Sequence, residues 1–167
     1  MFRQVNSTDT KPYKKHRLPA KVFATEFDLG QINQAYFDKD AYNYWVSSNE
    51  RTQWNKGNKM RNDAVDIEEC NDKVTNGYQV SHIEDGEWLQ FTTQVKKQNK
   101  YNAAIRYSSE NSEGKLYLET ENGVKSKTII LPVTGGNEKW KTIILSDVEL
   151  NAGENKIKAV FEKGGFD

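Results

Sequence analysis

The fold is decided by one stretch of the sequence, Gly77-Tyr-Gln-Val-Ser-His-Ile-Glu-Asp-Gly-Glu-Trp-Leu-Gln-Phe91. Its centre, Glu84-Asp-Gly-Glu87, is composed of residues that favour a tight turn. The turn leads directly into Trp88-Leu-Gln-Phe-Thr-Thr-Gln-Val95, whose alternation predicts a half-buried strand. A turn that ends in tryptophan and enters an alternating strand is typical of an antiparallel β-sandwich. We expect Trp88 itself to pack in the core.

Short strand patterns continue on both sides of this stretch, and no helical periodicity of any length is present. Glu121-Asn-Gly-Val124 supplies the Asn-Gly signal of a hairpin turn. The remaining predicted strands are Val22–Phe27, Tyr101–Tyr107, Lys115–Thr120, Lys127–Leu131, Trp140–Leu145 and Lys156–Glu162. Between residues 28 and 66 the pattern is that of a long loop. The sequence therefore predicts an all-β fold, an antiparallel β-sandwich of the jelly-roll type.

The chain of 167 residues fits one domain with a leader. Residues 1–18 are polar, basic and without periodicity, so we expect a flexible leader or linker there. Residues 19–167 then form the domain. A jelly roll normally closes with a strand paired to its first one, and Gly164-Gly-Phe-Asp167 is followed by none. We therefore expect a domain without its last strand.

Composition excludes several classes of function. Lys and Arg total 24 and so do Asp and Glu, so no net charge favours nucleic acid or an anionic membrane. The single cysteine, Cys70, excludes an internal disulfide and a cysteine-based zinc site. No apolar run is long enough to span a bilayer, and the first residues lack the apolar core of a signal peptide. Glu68 and Glu69 are adjacent on a predicted strand and so point apart, which argues against a glycosidase pair.

Several segments in a fixed order resemble family 6 carbohydrate-binding modules. The central piece is Val80-Ser-His-Ile83 followed by Gly86-Glu-Trp-Leu89. The other pieces, in chain order, are Pro19–Asp28, Ala35-Tyr-Phe-Asp38, Arg61-Asn-Asp-Ala-Val-Asp-Ile-Glu68, Pro132-Val-Thr-Gly-Gly-Asn-Glu-Lys-Trp-Lys-Thr142 and Gly153–Asp167. Each piece alone is a weak signal, whereas their order makes the resemblance specific.

The resemblance implies a non-catalytic β-jelly roll appended to a polysaccharide-degrading enzyme. In that family two aromatic rings flank a sugar in a cleft formed by loops, and a Glu and an Asn bind its hydroxyls. Matched residue by residue, these roles fall on Glu68, His82, Trp140 and Asp167. His82 replaces a larger ring and Asp167 replaces the amide. Two alternatives stay open: His82 as a solvated surface histidine, and Trp140 as a buried residue that opens a strand.

The segment Tyr36–Trp45 concentrates aromatic residues in the long loop. One interpretation makes Tyr36, Tyr44 and Trp45 an added wall of the sugar cleft. The other has the loop fold its rings back onto the sandwich, and the sequence favours neither.

The resemblance also raises the question of a structural calcium ion, which many members of that family hold with acidic or amide side chains of the first strand. Phe23 and Thr25 stand at those positions, and Glu26 reaches them only with a shift in register. We therefore expect that no cofactor is required and that calcium is not retained.

The expected function is targeting of an attached enzyme or assembly to a β-linked plant or algal polysaccharide, of the xylan, β-glucan or galactan type. The expected partner is a polysaccharide or oligosaccharide, with no nucleic acid and no membrane. The module is expected to be a monomer attached to a catalytic domain and to work outside the cytoplasm, in the periplasm or at the cell surface. The alternative is a structural or protein-interaction domain of the same fold that has lost sugar binding.

Overall fold

The computed structural model describes residues 9–39, 59–61 and 63–167, and all structural statements refer to these ranges. A single 3-10 turn spans Ala24–Glu26, and the regular structure is otherwise β. The strands are β1 His16–Leu18, β2 Tyr36–Phe37, β3 Ile67–Glu69, β4 Tyr78–Val80, β5 Trp88–Val95, β6 Asn99–Ser109, β7 Gly114–Thr120, β8 Ile129–Leu131, β9 Gly136–Leu150 and β10 Gly153–Lys163.

The strands form one large sheet and two ribbons. The large sheet has six strands in the order β1-β5-β10-β7-β8, with β2 also paired to β5. Within it only β1 runs parallel to its neighbour, and the other pairs are antiparallel. The ribbons are β3–β4 and β6–β9, both antiparallel. The predicted antiparallel β-sandwich is confirmed.

One hydrophobic core joins these sheets. The large sheet contributes Leu89, Leu116 and Phe161, while the β6–β9 ribbon contributes Tyr107 and Leu145. Each of these residues is almost completely buried. Their alternation along the strands places every second side chain on the core face. Because one core holds both sheets, the loops that connect them are fixed relative to one another.

Residues 77–91 adopt the predicted turn and strand, and only the burial of Trp88 differs from the expectation. The turn at Gly86 has a φ of +87°, and β5 begins at Trp88. Trp88 is only half-buried, on the face of the sheet away from Leu89. The ammonium of Lys158, on the neighbouring β10, lies 4.0 Å from the centre of its ring. The ring is therefore covered by a cation rather than by the core.

The Asn-Gly hairpin is also present where the sequence predicted it. Gly123 has a φ of +76°, and its amide donates to the carbonyl of Thr120 at 2.9 Å. The strand that follows is shorter than predicted and lies at the edge of the sheet. For this reason Ile130 is 51% exposed, although it lies in the apolar, β-branched part of the predicted strand Lys127–Leu131.

The N-terminal region differs most from expectation. Residues 16–18, assigned to a leader, pair with β5, and His16 is buried. Upstream, Lys11 and Leu29 exchange backbone hydrogen bonds of 2.9 and 2.7 Å. The strand predicted over Val22–Phe27 contains the 3-10 turn instead, because the amide of Glu26 bonds the carbonyl of Phe23 rather than another strand. Residues 1–8 lie outside the described ranges.

The long loop predicted from residue 28 to residue 66 includes β2 and several core residues, such as Ala35 and Val65. Residues 40–58 and 62 lie outside the described part of the chain. No helix in the described ranges has the length and apolar character needed to cross a membrane.

Candidate functional site

An open cleft of about 390 Å³ lies where five segments of the chain meet at one end of the sandwich. These segments are the β3–β4 ribbon, the turn after β4, the β6–β7 connection, the first residues of β9 and the segment after β10. The lining residues are Glu68, Glu69, Asn71, Gln79, His82, Ile83, Glu110, Asn111, Ser112, Asn137, Glu138, Trp140, Gly165, Phe166 and Asp167.

The β3–β4 ribbon forms one wall. Its register places Glu68 directly opposite Gln79, so the two side chains are neighbours on the same face. Glu69 also reaches the cleft although it is adjacent to Glu68, and the ammonium of Lys59 lies 2.9 Å from its Oε1 atom. This wall presents carboxylate acceptors and one amide side by side.

His82 links two of these walls. Its φ is +52°, a left-handed conformation that non-glycine residues adopt uncommonly. In that position its backbone N–H donates to Oδ1 of Asp167 at 3.2 Å, and its Nε2 lies 3.4 Å from Oε1 of Glu68. The imidazole stays substantially exposed, with 44% of the side chain accessible. His82 thus faces both carboxylates while remaining open to a ligand.

Both carboxylate oxygens of Asp167 accept hydrogen bonds from the protein. Its second oxygen, Oδ2, accepts a hydrogen bond of 3.3 Å from the Gln79 amide, and its backbone exchanges bonds of 2.9 and 3.0 Å with Ser108. Burial raises the pKa of the Asp167 carboxyl above its usual value. The hydrogen bond from the backbone of His82 and the charge of that residue oppose this rise, and the charge of Glu68 adds to it.

The segment after β10 lies under the cleft and packs tightly. Gly164 donates to Oδ1 of Asp85 at 2.8 Å, and Gly165 donates to the carbonyl of Ile83 at 2.8 Å. A Cβ atom on Gly164 would lie 2.1 Å from that carbonyl oxygen, so only glycine permits this approach. Phe166 is buried and meets Phe161 edge to face at 5.7 Å.

Trp140 comes from β9 and is half-buried in the cleft wall. Glu138, two residues earlier on the same strand, also lines the cleft, and the amide of Asn71 donates to it at 3.4 Å. The cleft therefore combines a large ring with groups that pair with hydroxyls. That combination suits a sugar, whose C–H face packs on a ring and whose edge needs hydrogen-bond partners.

The structure brings together four of the residues singled out from the sequence, Glu68, His82, Trp140 and Asp167, in this one cleft. The proposed wall residue Tyr36 is not among the lining residues. Its side chain is only 5% exposed and packs edge to face on Phe27 at 5.6 Å, because β2 directs it into the core. Tyr44 and Trp45 lie outside the described residues.

Sequence reasoning missed several lining residues, among them Gln79, Glu110, Asn111, Ser112 and Glu138. Two of them carried a signal. Gln79 is opposite Glu68 once the β3–β4 hairpin is recognised, and Glu138 shares a strand face with Trp140. Residues 110–112 carried no such signal, since polar residues there predict a turn but no role in a binding site.

The family resemblance placed a calcium site at the N-terminal positions next to Glu26. Glu26 is buried, and one of its oxygens accepts a hydrogen bond of 3.0 Å from the ammonium of Lys14. The other oxygen lies 3.6 Å from Nε2 of His16. A calcium ion needs several oxygen ligands, whereas the groups recorded next to these two carboxylate oxygens are nitrogen atoms of Lys14 and His16. No cluster of three His, Cys, Asp or Glu side chains fit for a metal occurs among the described residues.

Several solved carbohydrate-binding modules have a fold similar to that of this chain. The chain is similar to a family 6 module of Cellvibrio mixtus lichenase 5A solved with cellotriose, with 29% identity over 61% of this chain and 79% of that one and a TM-score of 0.55. The C-terminal family 6 module of LamC, a marine laminarinase from Zobellia galactanivorans, shows 24% identity over 61% and 81% of the two chains, with a TM-score of 0.55.

A third module, CsCBM6-3 from Clostridium stercorarium in complex with cellobiose, covers 92% of this chain and 91% of its own. Its TM-score is 0.63 at 13% identity, so the likeness is one of fold. No curated protein matches the sequence.

A match between the sequence and a family model shows to which family the chain belongs. The family model described as carbohydrate binding module (family 35) matches residues 61–167, which include every residue that lines the cleft. The predicted likeness to family 6 modules is confirmed by the solved structures. The chain belongs to carbohydrate-binding module family 35, a family of non-catalytic binding modules.

Proposed function

We propose that the cleft binds a β-linked polysaccharide and that the module holds an attached enzyme or assembly on that polymer outside the cytoplasm. The observation that carries the proposal is the meeting of Trp140 with Glu68, His82 and Gln79 in one open cleft. Trp140 lies far from the other three residues in the sequence, and only the fold brings it next to them.

The four groups have complementary tasks. The ring of Trp140 packs against the apolar face of a pyranose, while Glu68 and Gln79 pair with hydroxyls at its edge. His82 covers less of the sugar than a larger aromatic ring. Each such contact contributes about 1 kcal/mol, so a single cleft binds weakly. Weak modules become effective when attachment to another domain supplies avidity.

A glucan chain is the first ligand to test. The Cellvibrio mixtus module, which is 29% identical to this chain, was solved with cellotriose. That likeness supports a β-linked glucan as the starting point, and xylan and galactan extend the panel.

Affinity gel electrophoresis on β-glucan, xylan and galactan tests the proposal. We expect retention by at least one polymer, and Trp140→Ala should weaken it by about fivefold or more, because a ring contact of about 1 kcal/mol is lost. Tyr13→Ala removes an exposed ring outside the cleft and serves as the control. A chain that no polymer retains, or retention that survives Trp140→Ala, would contradict the assignment.

The hydrogen bonds inside the cleft favour one second candidate. Both oxygens of Asp167 accept internal donors, and Nε2 of His82 already lies beside Glu68. A cleft satisfied in this way fits a structural or protein-interaction domain that has lost sugar binding. In that case Trp140→Ala leaves binding to a protein partner unchanged.

A further inference from the structure

The lining of the cleft has an unusual charge for a chain without net charge. Five acidic residues line it, namely Glu68, Glu69, Glu110, Glu138 and Asp167. The lining includes no Lys and no Arg among the described residues, and His82 is its one basic side chain. Since the whole chain balances 24 acidic with 24 basic residues, the excess of negative charge is local to this site.

Little of that charge is compensated. Glu68 faces His82 at 3.4 Å, and Lys59 lies 2.9 Å from Glu69. Within the described ranges, Glu110, Glu138 and Asp167 have no Lys or Arg at ion-pair distance. A concave site with charges of one sign concentrates their field and selects ligands of the opposite sign.

Asp167 makes the selection sharper, because the carboxylate stands where the family resemblance placed an amide. Gln79 and the backbone of His82 hold it in place with hydrogen bonds of 3.3 and 3.2 Å. Burial raises the pKa of its carboxyl, so its negative charge is poorly stabilised by the protein alone. A cationic group of the ligand would stabilise that charge, whereas a ligand carboxylate or sulfate would oppose it.

We propose that this cleft selects amino sugars: it binds a β-linked sugar with a protonated amine more tightly than its neutral counterpart and rejects the acidic one. The inference rests on the proposed sugar-binding function and specifies its ligand class. The cleft and Trp140 define the site, and the charge of the lining decides between ligands. A hydroxyl also donates to a carboxylate, but an ammonium makes the stronger, charge-assisted hydrogen bond.

Four trisaccharides with the same β-1,4 linkage separate charge from shape. They are cellotriose, the glucosamine trimer, the N-acetylglucosamine trimer and the trimer of glucuronic acid, which differ in one substituent per ring. Isothermal titration calorimetry at pH 6 and low salt measures each affinity. We expect the glucosamine trimer to bind about tenfold more tightly than cellotriose, because a bond between two charged groups replaces one in which only the acceptor is charged. The glucuronate trimer should bind more weakly than cellotriose.

Salt and substitution locate the effect. The advantage of the amine should shrink when salt is raised to about 0.5 M, because screening weakens the attraction. Asp167→Asn and Glu138→Gln keep the shape of the side chain and should each reduce the ratio of glucosamine-trimer to cellotriose affinity. Glu121→Gln removes one charge from the β7–β8 hairpin, outside the cleft, and should leave this ratio unchanged.

The outcomes distinguish this inference from the function on which it rests. If cellotriose binds as tightly as the glucosamine trimer, the inference is wrong and the sugar-binding function stands. It is also wrong if the ratio survives both cleft substitutions. If none of the trimers binds and no polymer is retained, both fail.

Discussion

Arg61 is a residue with a structural task. Its side chain is 8% exposed and donates to the carbonyls of Thr25 and Asp28 at 3.3 and 3.1 Å, and also to the carbonyl of Phe27. The guanidinium also lies 3.4 Å from the centre of the Phe27 ring. It fixes the N-terminal segment against the core, because those carbonyls belong to no strand pair.

Replacing Arg61 with methionine should destabilise the fold severely. The change removes the donor to three buried carbonyls and the charge of Arg61, at a cost of about 3–5 kcal/mol in the free energy of unfolding. Urea unfolding measures it. Arg17→Met, at an exposed position of β1, is the matched control and should change stability by less than about 0.5 kcal/mol. Equal effects of the two substitutions would contradict this role.

Glu87 makes the stability of the fold depend on pH, and the burial of its carboxyl sets the direction of that dependence. Its oxygens accept the amides of Lys39 and Glu84 at 3.0 and 2.9 Å. Burial raises the pKa of the carboxyl, which these hydrogen bonds only partly oppose. The folded state therefore holds the proton to higher pH than the unfolded state does, and stability falls as pH rises through that window.

The comparison with Glu87→Gln tests this sign, since glutamine does not titrate. The stability of the wild type relative to the variant should be greatest near pH 4 and decline toward neutral pH, starting at the ordinary glutamate value of about 4.3. Urea unfolding at a series of pH values follows the difference. A difference that grows with pH would show that the hydrogen bonds outweigh burial.

At the scale of elements, the segment after β10 controls the shape of the cleft. Gly164 touches the backbone of Ile83 and Glu84, and Phe166 packs under Gly114, whose added Cβ would lie 2.3 Å from that ring. Close backbone contacts of this kind cannot adjust by rotating a side chain.

Gly164→Ala should therefore separate this segment from the turn at residues 83–86. We expect a loss of about 1–3 kcal/mol in stability and weaker sugar binding, because Asp167 and His82 move apart. Gly136→Ala is the matched control, since its Cβ would come no closer than 3.5 Å to any atom beyond its neighbours. Thermal unfolding and polymer retention are the measurements. Unchanged retention in Gly164→Ala would show that the cleft tolerates the shift.

Elements were predictable where the signal was local. The strands from Trp88 onward and the hairpin at Asn122-Gly123 follow from alternation and turn chemistry. β1 was not predictable, because His-Arg-Leu has no alternation of its own and pairs with residues 93–95, far away in the sequence. Conversely, Val22–Phe27 is rich in apolar residues but pairs with no strand among the described residues. A short strand is stabilised mainly by the strand with which it pairs, and that partner cannot be identified from a single sequence.

At the scale of the whole molecule, the N-terminal segment belongs to the sandwich. β1 extends the large sheet next to β5, and Lys11 bonds Leu29. A chain that begins at Pro19 should lose more than about 2 kcal/mol of stability, since several hydrogen bonds of about 1 kcal/mol each disappear. Thermal and urea unfolding of the two chains decide the question. Equal stabilities would restore the interpretation of residues 1–18 as a leader.

The site was predictable only in part, and for a physical reason. Glu68, His82, Trp140 and Asp167 came from motifs whose order in the chain resembles a known family. Gln79 and Glu110 came from no motif, since a cleft residue is defined by which loops lie together. The negative charge of the cleft is likewise not visible in the composition, because the acidic and basic residues of the whole chain are equal in number. It appears only when folding brings the acidic side chains together.

The cleft joins residues 68–83 to residues 110–112, 137–140 and 165–167, which has a consequence for synthesis. A ribosome releases the chain from its N-terminal end at about 5–20 residues per second, so the β3–β4 wall emerges on the order of ten seconds before the floor. The lining of the cleft is therefore complete only once residue 167 has been made, and the proposed sugar binding has to follow the synthesis of that residue.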